Sequence, residues 1–370
     1  MNTLANKHIT IFHGPQHPGI TGNMSVELDL IGETIQKATV HVGYLHRGFE
    51  KLIERRTVIQ AFTIVCRICV PEPDPNEANF AMAVEELAGL EVPRRAQFIR
   101  VMVLELSRLA AQFLWMAGQS GSIGLYAVGQ WAIADRDLIL DLFEELTGAR
   151  VYHMYIYPGG VRRDLPEGFL EKMAKLLLHM SAKLKEYDDI FLNNASFKNR
   201  AIGVGIINKD EAVANGYVGQ ALRGCGIQAD VRKDAPYLVY NELEFEVPTQ
   251  EGCDVYARAL VRRAEMEQSI HILEQVIKKM PEGEVMSKLP THRKFKLPKN
   301  DTWVKVESAR GEFAYYMAGD GSENIRRMQV RGPSLVHAFT LLESLLVGAE
   351  LSDVALIMNS LGICPPEIER

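Results

Sequence analysis

The chain has 370 residues, 47% hydrophobic and 24% charged, with a formal net charge of −6. That length supports one large domain or two moderate ones with ample core, and an acidic balance without lysine or arginine runs leaves no electrostatic footprint for nucleic acid. The N-terminus lacks a charged-then-apolar export pattern, and no stretch offers the roughly 18 uninterrupted apolar residues of a membrane helix, so membrane association is expected only through partners.

Residues 7–12 and 25–45 alternate apolar and polar positions in the manner of strands, with Gly32-Glu33-Thr34 as a turn. From Glu50 the period changes. Apolar positions at three- and four-residue spacing predict helices over 76–90, 94–117, 130–147 and 167–192, bounded by Pro93, Gly118, Gly148 and Pro166. Pro158-Gly159-Gly160 has strong turn chemistry. Residues 201–250 read as loops with small strands and one helical turn. An amphipathic helix is expected over Asp254 to Met280, then a basic, proline-punctuated loop from Pro281 to Pro298 that includes Lys288, His292, Arg293, Lys294 and Lys296. Strands return at 303–307, 312–318 and 325–331, and a last helix covers about 334–348. The prediction is a single α+β domain over 1–370: an N-terminal β part (1–50), a central helical bundle (51–200), a small mixed region (201–253), and a long helix, β hairpin and terminal motif (254–370).

Five cysteines fit a reducing compartment better than a disulfide framework. Cys225 and Cys253 stand alone and read as small hydrophobes. Cys66-Arg67-Ile68-Cys69 has Cys-x-x-Cys spacing, but no second such pair completes a tetrahedral zinc site and no βαβ context suggests a thioredoxin-like dithiol. More informative are Cys69-Val70-Pro71-Glu72 and Cys364-Pro365-Pro366-Glu367, two Cys-x-x-Glu segments far apart in sequence, each with an arginine nearby (Arg67, Arg370). Arg67 beside Cys69 is expected to favour thiolate. Glu72 lies among Pro71, Pro73 and Pro75, which are expected to preclude a regular helix, so it also reads as a solvated turn carboxylate. His13-Gly14-Pro15-Gln16-His17-Pro18-Gly19 should form a rigid loop able to aim His17, or simply a structural turn with exposed imidazoles.

His13 to Gly19 resembles the Gly-Pro-Gln-His-Pro signature of the large subunit that respiratory complex I shares with membrane-bound [NiFe] hydrogenases. Val42 to Lys51, Tyr152 to Pro166, Asp230 to Lys233 and Glu307 to Glu312 resemble its later blocks, in family order. The resemblance implies a [NiFe]-hydrogenase large-subunit-like fold over nearly the whole chain. Where the hydrogenases carry four metal-binding cysteines, this chain has Cys69, Glu72, Cys364 and Glu367, and Gly22 stands in place of a further hydrogenase glutamate. A harder ligand set of this kind argues against a nickel centre. Thr21 and Val70 fall where complex I carries the histidine and tyrosine that hydrogen-bond quinone.

Two cysteines kept and both quinone donors lost resembles the membrane-bound sulfane (polysulfide) reductase branch of archaeal respiration. The implied site is Cys69 and Cys364, with Glu72, Glu367, Arg67 and Arg370 around them and His17, Thr21 and Val70 about a substrate pocket. The resemblance further implies no cofactor or metal in this chain, and a small partner subunit whose [4Fe–4S] cluster delivers electrons. It also implies complex I-like peripheral subunits, antiporter-like and quinone-channel-like membrane subunits, ferredoxin as donor, and a peripheral place on the cytoplasmic face of the membrane. Two other readings stay open: a complex I-type reductase of an altered quinone or soluble acceptor, and a non-catalytic scaffold between cluster arm and membrane arm.

Overall fold

The computed structural model describes residues 8–20, 22–288 and 295–370. Lys7, Thr21 and the basic residues His292, Arg293 and Lys294 lie outside the described residues.

The N-terminal part is an antiparallel sheet of β1 (His8–His13), β2 (Ser25–Ile31) and β3 (Thr34–His41), in that order. The expected turn separates β2 from β3 at Gly32, whose φ of 64° suits glycine. Val26, Leu28 and Leu30 turn inward while Glu27, Asp29 and Ile31 stay half-buried, which is the alternation that marked the strand. Two short helices follow that sequence periodicity did not resolve, α1 (Phe49–Ile53) and α2 (Val58–Val65). Thr57 begins α2 with a capping box, its side chain accepting from the Gln60 N–H while Gln60 reaches back.

The bundle consists of α3 (Pro73–Ala88), α4 (Arg94–Gly121), α5 (Tyr126–Thr147) and α6 (Phe169–Tyr187), the last running into a π-helical turn at Asp188–Leu192. These are the four expected helices with shifted ends. The correction at the start of α3 matters most, because the prolines around Glu72 do not preclude a helix. Pro73 and Pro75 occupy its first turn, where no backbone N–H has an intrahelical acceptor, and Glu72 becomes the buried residue that begins it. Helix α4 is long and apolar enough to cross a membrane, but 78% of its most apolar window is buried inside the fold. It is the core helix against which α5 and α7 (Val255–Lys279) pack.

Ile156–Tyr157 and Gly160–Val161 pair as a small hairpin around Pro158 and Gly159. The mixed region contains short helices at Lys209–Ala214, Gln220–Arg223 and Val231–Asp234, and no strand among the described residues. Asn208 and Asp230 cap the first and last of these through their side chains, a local signal that outweighed the glycine-rich composition. The second sheet is a meander of β4 (Asp301–Ser308), β5 (Gly311–Ala318) and β6 (Arg327–Arg331), and α3 lies on its first two strands. The expected late helix, α8 (Pro333–Leu346), contains a π-helical segment at His337–Leu342. Helices α9 (Val354–Leu361) and α10 (Pro365–Ile368) were not foreseen. The bundle and both three-stranded sheets share one continuous apolar core.

Candidate functional site

Four chain segments converge at the N-terminal end of α3. The turn before it supplies Cys69 and Glu72, the β4–β5 turn supplies Ala309 and Arg310, the first turn of α8 supplies Ser334, and α10 with its preceding residue supplies Cys364 and Glu367. The sulfurs of Cys69 and Cys364, 295 positions apart, lie 3.7 Å from each other. Both residues are buried, as are Glu72 and Glu367.

Backbone donors hold the two carboxylates in place. Glu72 accepts from the Ala309 N–H at 2.7 Å, and Glu367 from the Ser334 N–H at 2.8 Å. The Ser334 hydroxyl accepts from the Cys364 N–H at 3.0 Å, so α8 fixes both ends of the Cys364–Glu367 segment. The approach is tight: a Cβ on Gly332 would fall 2.1 Å from Glu367 Oε1.

Arg310 is the residue that sequence reasoning missed. Its Nη2 lies 2.8 Å from Cys69 Sγ, 3.0 Å from Glu367 Oε2 and 3.5 Å from Glu72 Oε2. The two carboxylate contacts are at ion-pair distance without hydrogen-bond alignment, which leaves both Oε2 atoms formally unsatisfied. A guanidinium therefore sits among the ligand atoms that would otherwise surround a cation. The turn carrying it is held from three sides. Arg108 of α4 donates to the carbonyls of Glu307 and Ser308, and Gln112 and Gln220 donate to that of Ala309. Gly311, at φ 125°, closes the turn against Gly219, where any Cβ would strike backbone. Arg310 stood within the Glu307–Glu312 motif, and that motif was the available signal.

The thiols titrate as a pair. The sulfur–sulfur hydrogen bond with Cys69 brings Cys364 down to about 7; burial opposes this and Arg310 assists it. Burial, together with the same sulfur–sulfur hydrogen bond, pushes Cys69 well above its ordinary range although Arg310 touches it. The contact to Cys69 and the acidity of Cys364 point to different sulfurs. At 3.7 Å one shared proton reconciles them, giving a dithiol monoanion near neutral pH. Glu72 is raised above the ordinary carboxylate range, by burial against the pull of Arg310 and Arg108.

Cys69, Cys364 and Glu367 bring one ligand atom each within 4.8 Å of one another, and among the described residues are the group able to hold a metal ion. Two thiolates and a carboxylate suit a borderline or soft cation better than a hard one. Such an ion would compete with Arg310 Nη2 for the same atoms.

Several expected site residues are elsewhere. Arg67 donates to Thr63 O and Cys66 Sγ and lies over Tyr152, turned away from Cys69. Arg370 pairs with Glu50 at 3.2 Å and donates to Ile368 O rather than approaching Glu367. Both were predicted from adjacency in sequence, and in each the backbone turns between the arginine and its neighbour. Cys66 bonds to Thr63 O, and burial pushes its thiol up to about 12. Cys225 donates to Ile207 O at 3.9 Å and Cys253 to Glu251 O at 3.7 Å, and neither meets the site. His17 is exposed, stacks on His13 at 4.1 Å and accepts from the Gly19 N–H. Val70 is 44% exposed. Neither residue lines the cavity beside the site, although their neighbours Pro18, Gly19 and Pro71 do.

That cavity has a volume of about 680 Å³, and its inner wall is formed by Glu72, Arg310 and Ile363. Neither Cys69 nor Cys364 lines it, but Arg310, which does, contacts Cys69 Sγ.

The family described as "Respiratory-chain NADH dehydrogenase, 49 Kd subunit" matches residues 122–293 and 288–370. An NADH-quinone oxidoreductase subunit from Thermosipho melanesiensis is 43% identical over 98% of this chain and 99% of its own length. An F(420)H(2) dehydrogenase subunit of Methanosarcina mazei is 38% identical over 99% of each. Among solved structures, a chain of the membrane-bound sulfane sulfur reductase, an archaeal respiratory membrane complex, superposes with a TM-score of 0.95 at 44% identity, covering 98% of both chains.

Proposed function

This chain belongs to the 49 kDa subunit family of respiratory-chain NADH dehydrogenases, and from that premise we propose that it is the catalytic subunit of a respiratory membrane complex that reduces sulfane sulfur. The observation that carries the reading is the buried, Arg310-contacted pair of sulfurs 3.7 Å apart. The likeness to a chain of the sulfane sulfur reductase complex supports it.

The chemistry is thiol–disulfide exchange. The Cys364 thiolate attacks one sulfur of an R–S–S–R′ bond, forming a Cys364–S–S–R mixed disulfide and releasing R′S−. Cys69 then displaces RS−, leaving a Cys69–Cys364 disulfide, and its own proton is given up. We assign proton donation to the departing thiolate to Glu72, whose raised pKa keeps more of it protonated than an ordinary carboxylate. Two electrons and two protons restore the dithiol, so the sum is R–S–S–R′ + 2e− + 2H+ → RSH + R′SH. We assign the electron supply to a [4Fe–4S] cluster of a small partner subunit, with ferredoxin feeding the complex and ion-moving membrane subunits below it. On this reading the chain holds no metal or cofactor of its own and lies on the cytoplasmic face; where R′ carries a further sulfur the product R′SH is a persulfide, and a second two-electron turn on its S–S bond releases sulfide.

The likeness to NADH-quinone oxidoreductases favours a second reading, reduction of a quinone. Measuring methanethiol and sulfide release from dimethyl trisulfide against quinone reduction in the purified complex separates the two. Sulfide release lost in Cys69→Ser and Cys364→Ser supports the first. Quinone reduction unaffected by either substitution supports the second. Stoichiometric nickel in the intact complex would contradict the metal-free site.

A further inference from the structure

We propose that the cavity beside the dithiol contains an anion subsite built on Arg262, so that its substrate is an organic sulfane with an apolar body and a negative terminus. This rests on the sulfane-reductase reading and names the substrate class for it.

The buried arginines of this fold otherwise have evident partners. Arg100 is paired with Glu85, Arg223 with Glu265 and Glu307, and Arg232 with Asp230 and Glu105. Arg258 has no carboxylate, but its donors go to the Ser360 hydroxyl and the carbonyls of Gly205 and Cys253. Arg223 also has one nitrogen, Nη2, without a hydrogen-bond partner, but its charge is paired; that of Arg262 is not. Arg262 is 1% exposed, forms no ion pair with an acid among the described residues, and its Nη1 has no hydrogen-bond partner there. Its guanidinium lies over the face of Trp115, 4.9 Å from the ring centroid. Burial lowers its pKa to about 9, with Arg258, Arg223 and Arg310 adding to the effect against Glu265, so it remains cationic at neutral pH.

A buried cation without a counter-charge is costly, and the cost is offset when something else brings the anion. Arg262 lines the cavity whose inner wall is Arg310 and Glu72. Gly362 lies between the two arginines: a Cβ there would fall 2.7 Å from Arg262 Nη2 and 3.3 Å from Arg310 Cγ. Cys364 follows two residues later. The remaining lining includes the apolar Ala111, Leu114 and Ala355 and the neutral polar Gln112, Ser122, Tyr126 and Asn359, which offer no charge. A ligand with its negative end on Arg262 and its carbon or sulfur chain along this lining extends toward Arg310, the lining residue that contacts Cys69 Sγ. The negative end is either a terminal sulfide, as in a persulfide, or a carboxylate on the organic group.

Calorimetric titration of the purified complex with hexanoate and with hexanol tests the subsite without turnover. Hexanoate should bind the wild-type complex, hexanol much more weakly, and Arg262→Gln should weaken hexanoate at least tenfold. Hexanoate that does not bind, that binds no better than hexanol, or that binds Arg262→Gln as tightly as wild type overturns the proposal. Because Arg262 has no paired acid to lose, Arg262→Met, whose side chain still covers Trp115, should melt at the same temperature as wild type or higher; a lower melting temperature assigns the residue a structural role instead. Should Arg262→Gln fail to assemble, Gly362→Ala displaces the guanidinium with its charge retained, and the same loss of hexanoate affinity is expected. In turnover, the preference in kcat/KM for a carboxylated trisulfide over dimethyl trisulfide should fall at least tenfold in Arg262→Gln, through KM. A fall seen with inorganic polysulfide as well assigns the terminal sulfide as the bound group. If wild type reduces no trisulfide, the sulfane reading fails while the titration still decides the subsite.

Discussion

The dithiol and Arg310 are the point at which single side chains decide chemistry. Cys69→Ser or Cys364→Ser should abolish sulfur-bond reduction with assembly retained, because a hydroxyl keeps the shape but is a far weaker nucleophile. Cys66→Ser should retain most activity, since its thiol is raised to about 12 and bonded to Thr63. Sulfide release by the three variants checks both expectations. The attacking species is the thiolate, and Cys364 titrates near 7, so the rate should rise with pH through about 7; a profile flat from pH 6 to 8 would contradict this. Arg310→Met removes the cation from two buried carboxylates and a thiolate. It should cost about 3–5 kcal/mol in stability and move the rising limb of the rate profile to higher pH, read by denaturant unfolding and by kinetics.

Helix ends and turns place these residues, and here the sequence was only partly legible. The periodic stretches of the bundle and the alternation of β2 and β4 were readable because half-buried elements repeat their burial at fixed spacing. Helices α2 and α9 are nearly apolar throughout, so their short runs gave no period to read. The pairing of Cys69 with Cys364 came from the motif, since nothing local to either residue specifies a partner 295 positions away. Arg310 lay inside the Glu307–Glu312 block without a role to mark it. Its orientation depends on Arg108, Gln112 and Gln220, side chains from two other elements that no local pattern can connect to it. Arg67 and Arg370 failed for the complementary reason: neighbours in sequence at a turn point in different directions. One element-level consequence is testable. Gly332→Ala places a methyl against Glu367, so Glu367 must move and release the Ser334 N–H. Destabilisation of about 1–3 kcal/mol is expected, with a larger proportional loss of turnover than of assembly, measured by thermal unfolding and sulfide release.

At the scale of the whole molecule, many charges are buried, and acid should unfold it through them. His337 is inside the core, its Nε2 accepting from the Val218 N–H, and burial lowers it to about 3 with Arg262, Arg331, Arg258 and Arg310 adding to the shift. A depressed pKa means that the unfolded chain binds a proton which the fold excludes. The contribution is therefore present above pH 6.5 and lost as pH falls toward 3, at most roughly 4–5 kcal/mol. Glu105, held low by Arg108 and Arg232 despite its burial, acts in the same direction. Melting temperature should fall steadily from about pH 6.5 to about pH 4, and less steeply in His337→Gln. Equal slopes would remove His337 from the account. Arg310 also has a consequence for how the site is maintained. Its positive charge is tethered by the chain, at an effective concentration no dissolved ion matches, and dilution cannot wash it out. Prolonged dialysis against a chelator should therefore leave the acidity of the two thiols unchanged.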